Sequence, residues 1–238
     1  MAWVIPGRIA SVKFRGSLVS AALLLIAGCV YFAKHTPQGA CNDDRNSPIR
    51  NFCVVTERVL WRGERPSRAD ARWLVEHRVG TIVDLDVLLD DHGAFDQLTF
   101  GSSTPQSIDY FHLPDFEPLH IVNWSLLDAH VAQFAAIVSD APKPVYVHCI
   151  DGIDRTGVMV AAYRVLIEGM SRENAIAEMA RFRSPYFRFD RNYIRSLQGD
   201  RRAEVMRKVH EAKSRVKPRA RITCAGEKCM YRHADGAA

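Results

Sequence analysis

Residues 148–157 read HCIDGIDRTG and follow Val145-Tyr146-Val147, a run that is apolar without alternation. Such a run, opened by Pro144, is what a central strand covered on both faces looks like. After it, residues 156–168 have helix-forming composition, and Gly169 supplies a stop. The decisive stretch therefore joins a buried strand to the start of a helix. That junction brings successive backbone N–H groups and a helix amino terminus toward one point, an anion cradle before any side chain is considered. Gly152 permits the backbone turn and Arg155 adds a planar, bidentate donor suited to phosphate oxygens.

Working outward, strand-like and helix-like segments alternate. Residues 52–55 and 59–62 are β-branched or aromatic and suit a hairpin. Ser67 with Asp70 three positions on resembles a capping box before a helix reaching about residue 78, with Ala71, Leu74 and Val75 on one face and Gly80 beyond. Residues 81–87 and 108–113 read as strands. Asn123 or Ser125 can cap a helix to about residue 139, and Ser171 can open another. The expected class is α/β: a central mixed, largely parallel sheet flanked by helices.

Cys149 sits at the base of the cradle, where amides, helix terminus and Arg155 all favour the thiolate, the nucleophilic form. The pattern HC, five residues, RTG, continued by VMVAAYRVL, closely resembles the cysteine-dependent protein tyrosine phosphatase superfamily, in its compact dual-specificity-like branch. The resemblance spans roughly residues 54–197. It implies that Cys149 is the nucleophile, that Arg155 binds phosphate and stabilises the transition state, and that Thr156 donates a hydrogen bond to the departing thiolate. It also implies that His148 supports the cysteine from behind, and that Ile150, Asp151, Gly152, Ile153 and Asp154 line the phosphate loop with Arg155. The chemistry needs neither cofactor nor metal.

Members of this branch place a catalytic aspartate on a loop somewhat more than thirty residues before the cysteine. Asp115, in HLPDFEP, matches that position; Glu117 is the reserve, and Asp109 falls inside the presumed strand. Arg62, in WRGERP, matches an arginine-containing turn that helps shape the pocket, with an ordinary salt bridge as the equal alternative. His112 and His120 flank the acid loop with no metal-ligand spacing around them. The loop pattern C-x-D-G-x-D-R-T is also similar to that of myotubularin-type phosphoinositide phosphatases. Lipid-directed relatives that hold extra phosphates use lysines where this chain has Ile150 and Ile153, which favours phosphotyrosine-type protein substrates over phosphoinositides. Competing readings are a rhodanese-like sulfurtransferase and a catalytically inactive phosphate-binding module.

The flanks carry different information. Arg8, Lys13 and Arg15 precede an uncharged run at 17–33, which Lys34 closes. About 1.5 Å of helical rise per residue makes this a marginal membrane span, so one hydrophobic amino-terminal helix is expected. It reads as an uncleaved anchor, with a cleaved signal and a lipobox ending at Cys29 as alternatives. The preceding charges would leave the body periplasmic or extracytoplasmic. The expected organisation is a basic segment at 1–16, the anchor at 17–33, a linker at 34–52, the phosphatase domain at 53–199 and a basic tail at 200–238. Residues 200–221 hold nine basic against three acidic residues, +6, suited to a solvated helix face and a disordered tail, or to contact with an anionic surface. Nucleic acid is not expected as a partner. Cys41, Cys53, Cys224 and Cys229 could form two disulfides in an oxidising compartment, for instance 41–53 and 224–229. The chain of 238 residues, 47% hydrophobic and 25% charged with a net charge of +5, excludes collagen-like, fully disordered and multi-span classes.

Overall fold

The structure, a computed structural model, describes residues 47–101, 104–182 and 184–234. The expected anchor at 17–33, Cys29, Cys41 and most of the linker lie outside the described residues. Among the described residues, no helix is long and apolar enough to cross a membrane.

The chain runs β1 (Cys53–Thr56), β2 (Leu60–Glu64), α1 (Arg68–Glu76), β3 (Thr81–Asp84), a short α2 (His92–Phe95), β4 (Gln106–His112), a short α3 (Leu119–Val122), α4 (Trp124–Asp140) and β5 (Val145–Cys149). Four helices follow, α5 (Asp154–Leu166), α6 (Arg172–Ala180), α7 (Phe187–Ser196) and α8 (Gly199–Lys213), then β6 (Ala220–Ala225) and β7 (Lys228–His233). The sheet order is β1-β2-β5-β3-β4-β6-β7. Strands β2, β5, β3 and β4 are mutually parallel, and antiparallel strands close both edges. The parallel strands therefore all end on one side of the sheet, the crevice where α/β folds bind ligands.

Local chemistry sets the boundaries. Ser67 and Asp70 form the capping box of α1; Asn123 accepts from Leu126 N–H to start α4, and Ser171 accepts from Asn174 N–H to start α6. Along β5, Val145, Val147 and Cys149 join the core beneath α4 and α5, while Tyr146 joins the core under α1. This period of two places Cys149 and His148 on opposite faces of the sheet.

The carboxyl-terminal segment departs from expectation. Residues 200–213 belong to α8, which packs along α4, and residues 220–233 form a hairpin that pairs with β4. Four of the nine basic side chains are tied back to acids of the body: Arg201 and Lys208 reach Asp128 at 2.8 and 3.5 Å, Lys213 reaches Asp140 at 2.8 Å, and Arg221 reaches Asp109 at 2.9 Å. Solvent-reached pairs such as Lys213–Asp140 and Arg221–Asp109 contribute about 0–1 kcal/mol each, whereas a fully buried Ile or Val contributes about 1.5–3 kcal/mol. Ile222 and Tyr231 of the hairpin and Val205 and Val209 of α8 are buried, so packing holds the segment in place and its charges decorate it. Cys224 and Cys229 form the expected disulfide across the hairpin. Cys53 is disulfide-bonded, while a pairing with Cys41 falls outside the described residues.

Candidate active site

The loop from Ile150 to Ile153 is fastened from below, carbonyl by carbonyl. Ile150 O accepts from Arg65 N–H at 3.2 Å, and Asp151 O accepts from Asn51 Nδ2 at 2.8 Å. Gly152 O and Ile153 O accept from Arg62 Nη2 at 2.5 and 3.4 Å, and Ile153 O also accepts from Gly157 N–H at 2.8 Å. In a trans peptide the N–H points opposite to the carbonyl it is joined to. Tying down four successive carbonyls therefore turns the N–H groups of residues 151–154 to the other side, toward Cys149 and the start of α5, where an anion is favoured.

Arg62 is the centre of this fastening. It is buried, lies 3.6 Å over the Phe182 ring, and burial lowers its pKa to about 10 against the pull of Cys149 and Glu178. At that value it remains a cation at neutral pH. Gly152 has φ +66°, and a Cβ there would lie 2.1 Å from Gly63 O, so loop and β2 meet at a distance only glycine permits. Sequence reasoning found Arg62 but missed Asn51 and Arg65, whose signal was only their presence near the strand beside β5.

Cys149 is free and 3% exposed. Arg155 donates to Leu85 O at 3.0 Å and lies 3.8 Å from Asp86, which in turn pairs with Arg65 at 3.0 Å. Burial opposes the charge of Arg155, but Cys149, Glu117, Asp86 and Asp115 hold it as a cation. The Thr156 hydroxyl is buried without a hydrogen-bond partner among the described residues.

On the far face, His148 is fully buried and meets Asp91 at 2.8 Å and Asp84 at 3.8 Å; Tyr110 donates to Asp84 at 2.7 Å. Burial opposes protonation of His148, but Asp91 and Asp84 raise its pKa to about 9. These three side chains are close enough to surround a cation. With His148 in its cationic form, the cluster is an ion-paired brace behind Cys149.

The loop after β4 separates the two candidate acids. Asp115 is 1% exposed, and His120 at 2.9 Å and His130 at 2.7 Å occupy both of its oxygens. Burial would raise its pKa, but the two histidines win and lower it to about 2. His120 also faces Asp190 of α7 at 3.6 Å; burial opposes its charge, while Asp115 and Asp190 raise its pKa to about 9. Glu117 is buried, and its Oε1 has no hydrogen-bond partner among the described residues. Burial first, then Asp154, Asp190 and Cys149, push its pKa well above the usual carboxylate range, against Arg155. Asp154 is raised to about 6, chiefly by burial and then by Asp190. Asp151 is half-buried and 3.9 Å from Arg50. His112 donates from Nε2 to Asp86 O at 2.8 Å and accepts at Nδ1 from Arg219 Nη1 at 3.1 Å, rather than bonding within the loop.

Residues 43–195 match the family described as DSP-PTPase phosphatase fused to NAD+ kinase. NAD kinase 2, chloroplastic, of Arabidopsis thaliana is 27% identical over 172 residues, covering 67% of this chain; the chain spans 16% of that relative's length. Among solved structures, P. aeruginosa TpbA superposes with a TM-score of 0.50 at 22% identity, covering 75% of this chain and 96% of that one. The core catalytic domain of the PP-IP phosphatase SIW14 from S. cerevisiae gives 0.52 at 19% identity, covering 72% and 98%. The two structural likenesses establish a shared fold.

Proposed function

The chain belongs to the DSP-PTPase phosphatase family and is a cysteine-dependent phosphatase of the protein tyrosine phosphatase type, and from that premise we propose that it hydrolyses phosphate monoesters through Cys149, Arg155, Thr156 and Glu117. Cys149 thiolate attacks phosphorus while the N–H groups of residues 151–154 and the guanidinium of Arg155 hold the non-bridging oxygens. An S–P bond forms as the P–O bond to the leaving group breaks, and the Glu117 carboxyl passes its proton to the departing oxygen. Water then attacks the cysteinyl phosphate, returning a proton to Glu117 and releasing inorganic phosphate; Thr156 donates to the departing thiolate.

The observation that carries this reading is the fastening of carbonyls 150–153, which commits the loop to an anion. Glu117 is chosen over Asp115 because a donor must hold a proton at neutral pH, and the environments of the two carboxyls push them apart in that sense. Asp115 then serves as a lock that holds α3 through His120. Ile150 and Ile153 add no cation to the loop and Asp151 and Asp154 are acidic, which favours substrates bearing a single phosphate. The apolar run at 17–33 and the Cys224–Cys229 disulfide support an exported, membrane-anchored catalytic domain.

Turnover of a soluble aryl phosphate by the wild type, Cys149→Ser and Arg155→Lys tests the reading. Loss of all turnover in the serine variant and a fall of about 10²–10³ in the lysine variant are expected. Persistent turnover in Cys149→Ser, or thiosulfate turnover without phosphatase activity, would overturn it.

A further inference from the structure

Ten large apolar side chains stand well exposed among the described residues, and nine of them, all but Met230, come from the segments around the phosphate loop. Leu88 and Leu89, 87% and 59% exposed, follow β3; Phe116, 50%, follows β4; Val122, 77%, ends α3; Ile150, 49%, is in the loop itself; Phe189, 38%, is in the first turn of α7. These segments share one end of the sheet because β3, β4 and β5 are parallel. Direct bonds tie them together. Leu85 N–H donates to His148 O, Asp115 N–H donates to Leu85 O, and His120 links the acid loop to Asp190 beside Phe189.

From this collar we propose that the phosphatase works on a lipid bilayer surface, its substrate being a lipid that carries a single phosphate monoester. The inference rests on the phosphatase reading above and names its substrate class. Scattered exposed leucines need no explanation, but their concentration round one mouth does. The most exposed members, Leu88 and Val122, protrude from a loop and a helix end, as side chains that enter an interface do; a peptide groove would recess them. Trp124, at the start of α4 beside Val122, suits the headgroup level of a bilayer. Arg188, exposed next to Phe189, adds attraction for anionic lipid. The absence of further cations at Ile150 and Ile153, with acids at Asp151 and Asp154, disfavours multiply phosphorylated headgroups. The same chain carries an apolar run at 17–33, and residues 34–46 between it and the described residues, thirteen in number, reach at most about 45 Å when extended.

The test uses the full chain and a triple variant, Leu88→Ser with Leu89→Ser and Val122→Ser, none of which touches the phosphate chemistry. Three substrates are compared: phosphatidic acid in phosphatidylcholine vesicles, a phosphotyrosine peptide and a soluble aryl phosphate. The expected result is a fall of roughly tenfold or more in kcat/KM on vesicles, with the aryl rate within about twofold and an unchanged Tm. Equal vesicle rates in the two proteins would overturn the proposal. So would a wild type that cleaves the aryl phosphate but not the vesicle lipid, or a loss confined to the peptide, which would make the collar a protein-binding surface. Failure of the wild type on all three would instead remove the phosphatase reading beneath it.

Discussion

A single carboxyl decides whether this site has a proton to give. Asp115 occupies the expected position along the chain, yet two histidines take both its oxygens, while at Glu117, two residues on, burial and then the neighbouring acids push the carboxyl pKa well above its usual range. Glu117→Gln should lower turnover by about 10²–10⁴ for an alkyl phosphate and much less for a nitrophenyl phosphate, whose leaving group needs little protonation. Asp115→Asn should instead lower Tm, with the smaller effect on turnover. The reverse ranking of the two variants in turnover on the alkyl phosphate would return the acid role to Asp115. Sequence spacing could bring the reader to this loop but could not choose within it, because the choice depends on His130 of α4 and Asp190 of α7 arriving from distant positions. Gly152 was legible in the other sense: its role followed from the loop pattern, and only the partner, Gly63 O, needed the structure. Gly152→Ala should cost about 3 kcal/mol or more from combined strain and overlap, read as a shift in denaturant midpoint; a shift below about 1 kcal/mol would mean the close approach is not maintained.

At the scale of elements, α3 is held by the pair His120–Asp115 and its pH dependence has a definite sign. His120 binds its proton more tightly when folded, so its contribution is complete below its unfolded value of about 6.5 and is lost as pH rises through about 9. Asp115 gives the mirror case, present above about 3.8 and lost as pH falls through about 2. The stability advantage of the wild type over His120→Gln, read from denaturant unfolding, should therefore be full near pH 6, about 3 kcal/mol on the scale of a broken buried ion pair, and shrink toward pH 9.5. A difference that stays constant over that interval would show that the pair is not an ion pair. The carboxyl-terminal hairpin is bound by packing and by Cys224–Cys229. Replacing both cysteines with alanine should cost about 2 kcal/mol, the chain-entropy figure for so short a loop, and no loss would mean the bond is not formed. The hairpin was half legible. Residues 220–225 and 228–231 each alternate buried and exposed with period two, but nine basic residues nearby invite the reading of a solvated tail, and only the sheet edge offered by β4 turns the alternation into a strand.

For the molecule as a whole, the α/β class, the buried β5 and the cradle after it follow from HCIDGIDRTG and its flanks, because a strand covered on both faces and a loop opening a helix have local signatures. The fastening of that loop by Asn51, Arg62 and Arg65 did not, since nothing local marks residues that will lie beneath a loop about ninety positions later. Net charge likewise became informative only in three dimensions: five of the nine basic residues of 200–221 pair with acids of α4, α8 and β4, while Arg155, Arg62 beneath the loop and peptide N–H groups make the site positive. The central claim is that phosphate passes through Cys149. Rapid denaturing quench of the wild type during turnover of a labelled aryl phosphate, followed by peptide mapping, tests it directly. The account predicts a phosphate label on the peptide containing Cys149, absent in Cys149→Ser, with a stoichiometric burst of aryl alcohol; turnover without any labelled cysteine would contradict it.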